Sequence, residues 1–319
     1  MQASSNRLRD ITLLALMPLF FSSNLVIGRA AVSTVEPFTL AFLRWTVALL
    51  LLLPLAAAGL SQHRKTLMEN WRLLLVLGFL GMGVCGAIVY LALRHTNATN
   101  ATLIYTSSGV MILVLEWLFR GKRIALRQAL GVALAFIGVA VIVLRGDLGQ
   151  LIALELNAGD LLIALCAFSW AVYSVLLRRG SLHTVPTLPL FTAIVAAGAV
   201  VLLPFFAVEA VVREAFPSTL AAWLSIAGLA FISSVLAFLA YQHGVKVFGP
   251  GVTGMFLYLL PPYGVLLAMI FLGEEFHTYH ALGLALVLPG LMLATLPSTW
   301  PRPWHGIRRW TKARHTGLP

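Results

Sequence analysis

Two ionisable side chains, Arg44 and Glu116, stand inside long apolar runs of this sequence. A charge at the centre of a bilayer costs at least about 2.5–3.5 kcal/mol, so charges at that depth are rare and serve function or a built pairing. Glu116 has two open readings, as a partner of Arg120 one turn later or as a coupling group. Arg44 is an interhelical hydrogen-bonding post, a side chain that snorkels near the outer surface, or a solute contact. Pro261 and Pro262 remove backbone hydrogen bonds within one apolar run, and with Arg44 and Glu116 they form the candidate gating and coupling set. Ser23, Asn24, Tyr90, Tyr105, Ser108, Trp170, Tyr173, Tyr241 and Tyr258 are the candidate substrate-binding residues. Trp170 with Tyr173, and Tyr105 with Ser108, are three residues apart and share a helix face. Rings give contact area and a few polar tips fix orientation, which suits a neutral or zwitterionic solute with an apolar body. Taken one at a time, each of these residues reads first as helix packing or interface anchoring, while of the set roughly half is expected to line a path.

Nothing in the chain reads as an enzyme. There is no Gly-rich phosphate loop, no HExxH, no buried carboxylate pair and no assembled Ser/His/Asp set. No metal or other cofactor is expected. His95 and His243 fall at the ends of apolar runs, where interfacial placement is the expectation. Cys85 and Cys166 lie in mid-run without ligand spacing and are read as packing residues.

These residues must be positioned by membrane helices. Of 319 residues, 60% are hydrophobic and 10% charged, with a mean hydropathy of +0.93, too few charges to clothe a soluble globule. The net charge of +11 is spread over short breaks between apolar runs, which argues for topology and against nucleic acid as a partner. Ten runs of membrane-crossing length fall near 11–31, 37–60, 72–93, 98–119, 124–144, 158–178, 184–208, 219–243, 250–272 and 278–297. They are continuous and rich in Leu and Ala, unlike the alternating strands of a barrel. The expected fold is therefore all-α, a polytopic membrane protein. Counting Lys and Arg on alternate sides gives 17 on the side of both termini and four on the other, which predicts cytoplasmic termini. Asn97-Ala98-Thr99 and Asn100-Ala101-Thr102 match the glycosylation pattern but abut a run, so helix capping is the expected role.

The chain also repeats itself. Asp10 and Asp160, Arg29 and Arg179, and Pro54 and Pro204 are each 150 apart; Trp71 and Trp223, Gly121 and Gly273, and Gly138 and Gly290 are 152 apart. Residues 1–150 and 151–298 thus form two halves of five runs, followed by a basic, Trp-containing tail over 299–319 that reads as an anchor at the cytoplasmic interface. The first run has a counterpart near 160–180, so it is kept as a mature span and not as a signal peptide. An odd number of runs per half forces the second half to insert upside down, an inverted repeat. The charges agree, since Lys122-Arg123 becomes Glu274-Glu275 at the matching place.

Phe168-Ser169-Trp170-Ala171-Val172-Tyr173, and Tyr258-Leu259-Leu260-Pro261-Pro262 followed by Leu272-Gly273-Glu274, resemble the start and end of the second EamA-type repeat of the drug/metabolite transporter superfamily. Arg44-Trp45 and Tyr90-Leu91-Ala92-Leu93 are similar to its second and third spans, so the likeness covers residues 10–297. Departures are Gly121-Lys122 where the family has Gly-Glu, Ser108-Gly109 where it has a proline, and no Trp in Phe20-Phe21-Ser22-Ser23-Asn24. The resemblance implies a secondary transporter of the bacterial inner membrane, most like exporters of aromatic and other neutral amino acids. Its partners would be the lipid bilayer and a small neutral or zwitterionic solute, and the expected state is a monomer. Runs 1, 3, 4, 6, 8 and 9 are expected to line the cavity. The alternatives are a proton-coupled multidrug exporter, which needs Glu116 or another titrating group, and a membrane-embedded lipid-modifying enzyme, for which the short loops offer no cluster of Asp, His or Arg.

Overall fold

The computed structural model describes residues 2–31, 35–96, 98–147, 149, 157–213, 216–272 and 275–295. The basic tail, Asn97 of the first glycosylation pattern and the Gly273-Glu274 step lie outside the described residues. Among the described residues all regular structure is helical. In hydrocarbon a backbone must satisfy its own hydrogen bonds, and a helix does so within a single segment. Among the described residues nine helices are long and apolar enough to cross a membrane: α2 Pro37–Gln62, α3 Trp71–Ala92, α4 Ala101–Arg120, α5 Leu126–Val143, α6 Ala158–Leu176, α7 Thr187–Arg213, α8 Leu220–Phe248, α9 Pro250–Phe271 and α10 Thr278–Thr295. They are preceded by the 30-residue α1, Gln2–Ala31. Large apolar side chains such as Leu55, Phe119 and Val211 point outward, where lipid and not water is the fitting solvent.

Several of the main helix pairings recur when helix n is exchanged for helix n+5. α2 packs on α7, α5 on α10 and α4 on α9, while α1 meets α8 and α9 as α6 meets α3 and α4. Local irregularities follow the same rule. α3 carries a π-helical stretch at Phe79–Ile88 and α8 carries one at Leu229–Leu236. α4 is interrupted between Thr106 and Ser108, and α9 tightens to a 3-10 turn at Phe256–Leu259. In α9 the rings of Pro261 and Pro262 face the carbonyls of Leu257 and Tyr258 four residues back, which accounts for the turn. α4 breaks without a proline. The repeated acids also hold equivalent joints: Asp10 accepts from His243 of α8, and Asp160, in a capping box with Asn157, accepts from Thr96 at the end of α3.

Two cores result. The larger one lies among α2, α3, α6, α7 and α8 and contains Trp45, Trp170, Tyr173, Phe191, Phe238 and Tyr241. The second unites α4, α5, α9 and α10 and includes Tyr258. The α5–α10 crossing depends on glycine. A Cβ on Gly138 would lie 2.7 Å from the Gly283 carbonyl, and one on Gly283 would lie 2.8 Å from the Gly138 carbonyl. Such close backbone approach gives the van der Waals contact that holds helices together in lipid.

Candidate functional site

A cleft opens between α1, α3, α4, α6 and α9. Its upper wall is Val89 and Leu93 at the end of α3, Ala101, Thr102, Tyr105 and Thr106 at the start of α4, and Ile163 at the start of α6. Phe21 and Trp170 lie deeper, with Leu257 and Leu260 from the irregular part of α9 and Cys85 from the π-helical stretch of α3. α8 is absent from this wall, although its counterpart α3 contributes to it. Its Phe238 and Tyr241 stand one layer behind, with ring centroids 5.2 Å and 6.2 Å from Phe21.

The candidate residues separate into three places. Asn24, Tyr105 and Trp170 line the cleft. Tyr173 and Tyr241 lie beneath it. Trp170 is stacked on Tyr173 at 5.3 Å and tilted on Tyr241 at 4.7 Å, while the Tyr241 hydroxyl bonds to Ser174 and the Tyr173 hydroxyl accepts from Gln242 Nε2 at 2.8 Å. The others are elsewhere. Ser23 bonds Ser233 at 3.0 Å across the α1–α8 contact, Ser108 is fully buried, and Tyr258 is buried with its ring over Gly109. Pro262 faces a separate apolar groove beside α10, and Pro261 is buried. Phe21, Phe238 and Cys85 were not among the candidates, because an isolated Phe or Cys in an apolar run is indistinguishable from packing. Position 21 did carry a signal, since it sits in the run where the family's Trp is missing.

The polar corner of the cleft is built by Arg44. Its Nη1 donates to the Tyr90 hydroxyl and, at 3.3 Å, to Asn24 Oδ1, and Tyr90 donates to the same Oδ1 at 2.7 Å. The guanidinium lies 4.8 Å from the Trp45 ring centroid and is 3% exposed. Tyr90 therefore stands behind Asn24 and reaches the cleft only through it.

Glu116 lies outside the cleft. It pairs with Lys122 at 3.2 Å and accepts the Gly251 N–H at the start of α9 at 3.0 Å. Arg120, the partner anticipated from i+4 spacing, instead donates to the Val175 carbonyl at the end of α6. A chain that turns back at Gly121, with φ of 63°, brings Lys122 beneath the carboxylate and turns Arg120 away.

A second pocket lies at the other end of α6, between the start of α7 and the end of α8, and is edged by Arg178, His183 and Lys246. Gln242 lines it and also bonds Tyr173. The layer of Trp170, Tyr173 and Tyr241 thus separates two openings on opposite ends of the bundle. Among the described residues no group of three or more His, Cys, Asp or Glu could hold a metal.

The sequence that builds this cleft matches a known family profile. The profile of the EamA-like transporter family fits residues 8–144 and again 157–296. The chain belongs to that family. Among relatives, an uncharacterized transporter of Archaeoglobus fulgidus is 30% identical over 89% of this chain and 96% of its own. The uncharacterized transporter YyaM of Bacillus subtilis is 27% identical over 74% of this chain and 75% of its own. A probable terminal-alkyne amino-acid exporter of Streptantibioticus cattleyicolor is 26% identical over 74% and 77%. A solved crystal structure shares the fold with a TM-score of 0.70 at 23% identity, covering 89% of this chain and 96% of that one. The EamA-like chain is thus a multi-pass membrane transporter.

Proposed function

We propose that this transporter exports amino acids, in particular aromatic or other neutral ones, and related small metabolites across the inner membrane by alternating access. The observation that carries this reading is the cleft itself: a mainly apolar and aromatic chamber with a few polar groups, among them Asn24, Thr102 and Thr106. Among the described residues no carboxylate lines it, which disfavours cationic drugs. The name of the Streptantibioticus relative points the same way.

In this reading α1 is a tenth span, residues 1–150 and 151–298 are two inverted five-helix repeats, and both termini are cytoplasmic. The cleft then opens outward, and the pocket edged by Arg178, His183 and Lys246 faces the cytoplasm. The protein acts as a monomer with the bilayer as its only other partner. Trp170, Tyr173 and Tyr241 close the inner path, and the paired irregularities in α3 and α8 and in α4 and α9 are where the helices bend when access alternates. Helix stretches with altered hydrogen bonding are common hinges.

Purified protein in liposomes should exchange labelled aromatic amino acids across the membrane, with and without a pH gradient. Flux of amphiphilic cations alone, strictly dependent on the gradient and abolished by Glu116→Gln, would replace this reading with a multidrug exporter. Conversion of a lipid with no flux of any solute would make the protein an enzyme.

A further inference from the structure

We infer that Arg44 is the receptor for the carboxylate of a zwitterionic solute seated in the cleft. The inference rests on the transport reading and names the part of the solute that this corner recognises.

Among the described residues Arg44 is a buried cation with no anion paired to it. The described acids near helix ends are engaged elsewhere: Glu36 with Arg94 and Arg213, Glu116 with Lys122, and Asp10 with His243. Glu209 accepts from the backbone and hydroxyl of Thr39. Arg44 is left with Tyr90, Asn24 and the face of Trp45, and its buried Nε has no acceptor. A structural post would be expected to satisfy its charge or at least all of its donors, because an unpaired buried charge is among the most expensive groups a fold can hold.

The arrangement is instead incomplete on the side of the cleft. Asn24 Oδ1 takes both available hydrogen bonds, from Arg44 and from Tyr90, and Asn24 is the residue that forms the cleft wall there. A neutral amide oxygen thus occupies the place where a carboxylate oxygen would bind more strongly, since charge-assisted hydrogen bonds are about twice as strong as neutral ones. Rotation of the Asn24 side chain would admit a carboxylate to Arg44 and the Tyr90 hydroxyl together. The planar guanidinium suits a two-oxygen acceptor. The apolar body of the solute would then lie against Phe21, Tyr105 and Trp170, which line the same cleft. The other cations of the sequence fall at or near the ends of the apolar runs.

The test compares phenylalanine with phenylalaninamide, which keeps the ring and amine but lacks the carboxylate, in binding to purified protein and in counterflow from liposomes. Wild type should favour the acid by at least about tenfold, the worth of one charge-assisted hydrogen bond. Arg44→Gln should erase that preference, and Arg44→Lys should keep part of it. Equal use of acid and amide by wild type, or an unchanged preference in Arg44→Gln, would overturn the role of Arg44 while leaving transport intact. If Arg44→Gln does not fold, the wild-type comparison and Arg44→Lys still decide. Wild-type protein that binds and moves neither compound, nor any other amino acid, would overturn the transport reading and this inference with it.

Discussion

The carboxylate of Glu116 in α4 holds the backbone N–H of Gly251 at the start of α9, at 3.0 Å, and no side chain could replace the hydrogen of that glycine. A Cβ on Gly251 would lie 2.2 Å from Glu116 Oε2. An acid at a helix N-terminus satisfies an unpaired donor and meets the positive end of the helix dipole. Glu116 therefore fastens the two repeats together, and its charge is compensated by Lys122. Gly251→Ala should expel the carboxylate and destabilise the detergent-solubilised protein by about 1–3 kcal/mol, read from thermal unfolding. Glu116→Gln keeps an acceptor for Gly251 and should cost less. Its flux should retain the wild-type response to a pH gradient, and loss of that response would make Glu116 a coupling group.

The reciprocal contact of Gly138 and Gly283 sets the spacing of α5 and α10. Neither helix is predominantly a cleft element. Gly138→Val should force the pair apart and lower thermal stability, since overpacking a close contact costs typically 1–3 kcal/mol. Exchange per folded molecule should stay near wild type. A variant of unchanged stability but altered selectivity would show that the α5–α10 pair shapes the cleft directly.

How much of this was legible in the sequence differs by level. The helices were, because twenty apolar residues can do little else in lipid, and so was the relation between Pro54 and Pro204 or Gly138 and Gly290, because identical residues at one shift mark equivalent positions. Depth along a helix was readable as well, which placed Asn24, Tyr105 and Trp170 among the candidates. Rotation about the helix axis was not. The apolar runs are hydrophobic all round, so no amphipathic stripe distinguishes the face of Tyr105, which meets the cleft, from that of Tyr258, which packs into the second core. The 3.6-residue spacing also breaks at Phe79–Ile88 and Leu229–Leu236, where a π-helical turn rotates everything after it. Tyr90 and Tyr241 follow those stretches, and both end up one layer behind the cleft.

Cys85 and Cys166 give a direct check on which side chains face the cleft. Each thiol donates to a backbone carbonyl across the α3–α6 contact, Cys85 to Cys166 and Cys166 to Val84, so they stand at nearly one level. Only Cys85 lines the cleft, whereas Cys166 is fully buried. A small charged thiol reagent should therefore modify the Cys166→Ser protein at Cys85 and leave the Cys85→Ser protein unlabelled. A bound amino acid should slow the labelling. Equal labelling of the two variants would mean that the cleft is not where the geometry puts it.

Trp170 is both a wall of the cleft and, through Tyr173 and Tyr241, the top of the layer between the two openings. Truncating it removes the ring that separates solute from the path to Gln242. Trp170→Ala should therefore do two things together: reduce discrimination between large and small amino acids, and allow passive leak of solute from loaded liposomes without exchange. Trp170→Phe, which restores a ring on the same helix face, should recover most of the barrier. The alanine substitution also carries a stability loss of about 3–5 kcal/mol expected for a large buried ring. Fluxes must therefore be normalised to folded protein, and the phenylalanine variant separates loss of fold from loss of barrier. A folded alanine variant with wild-type selectivity and no leak would remove Trp170 from both roles and move the inner closure to the rings beneath it.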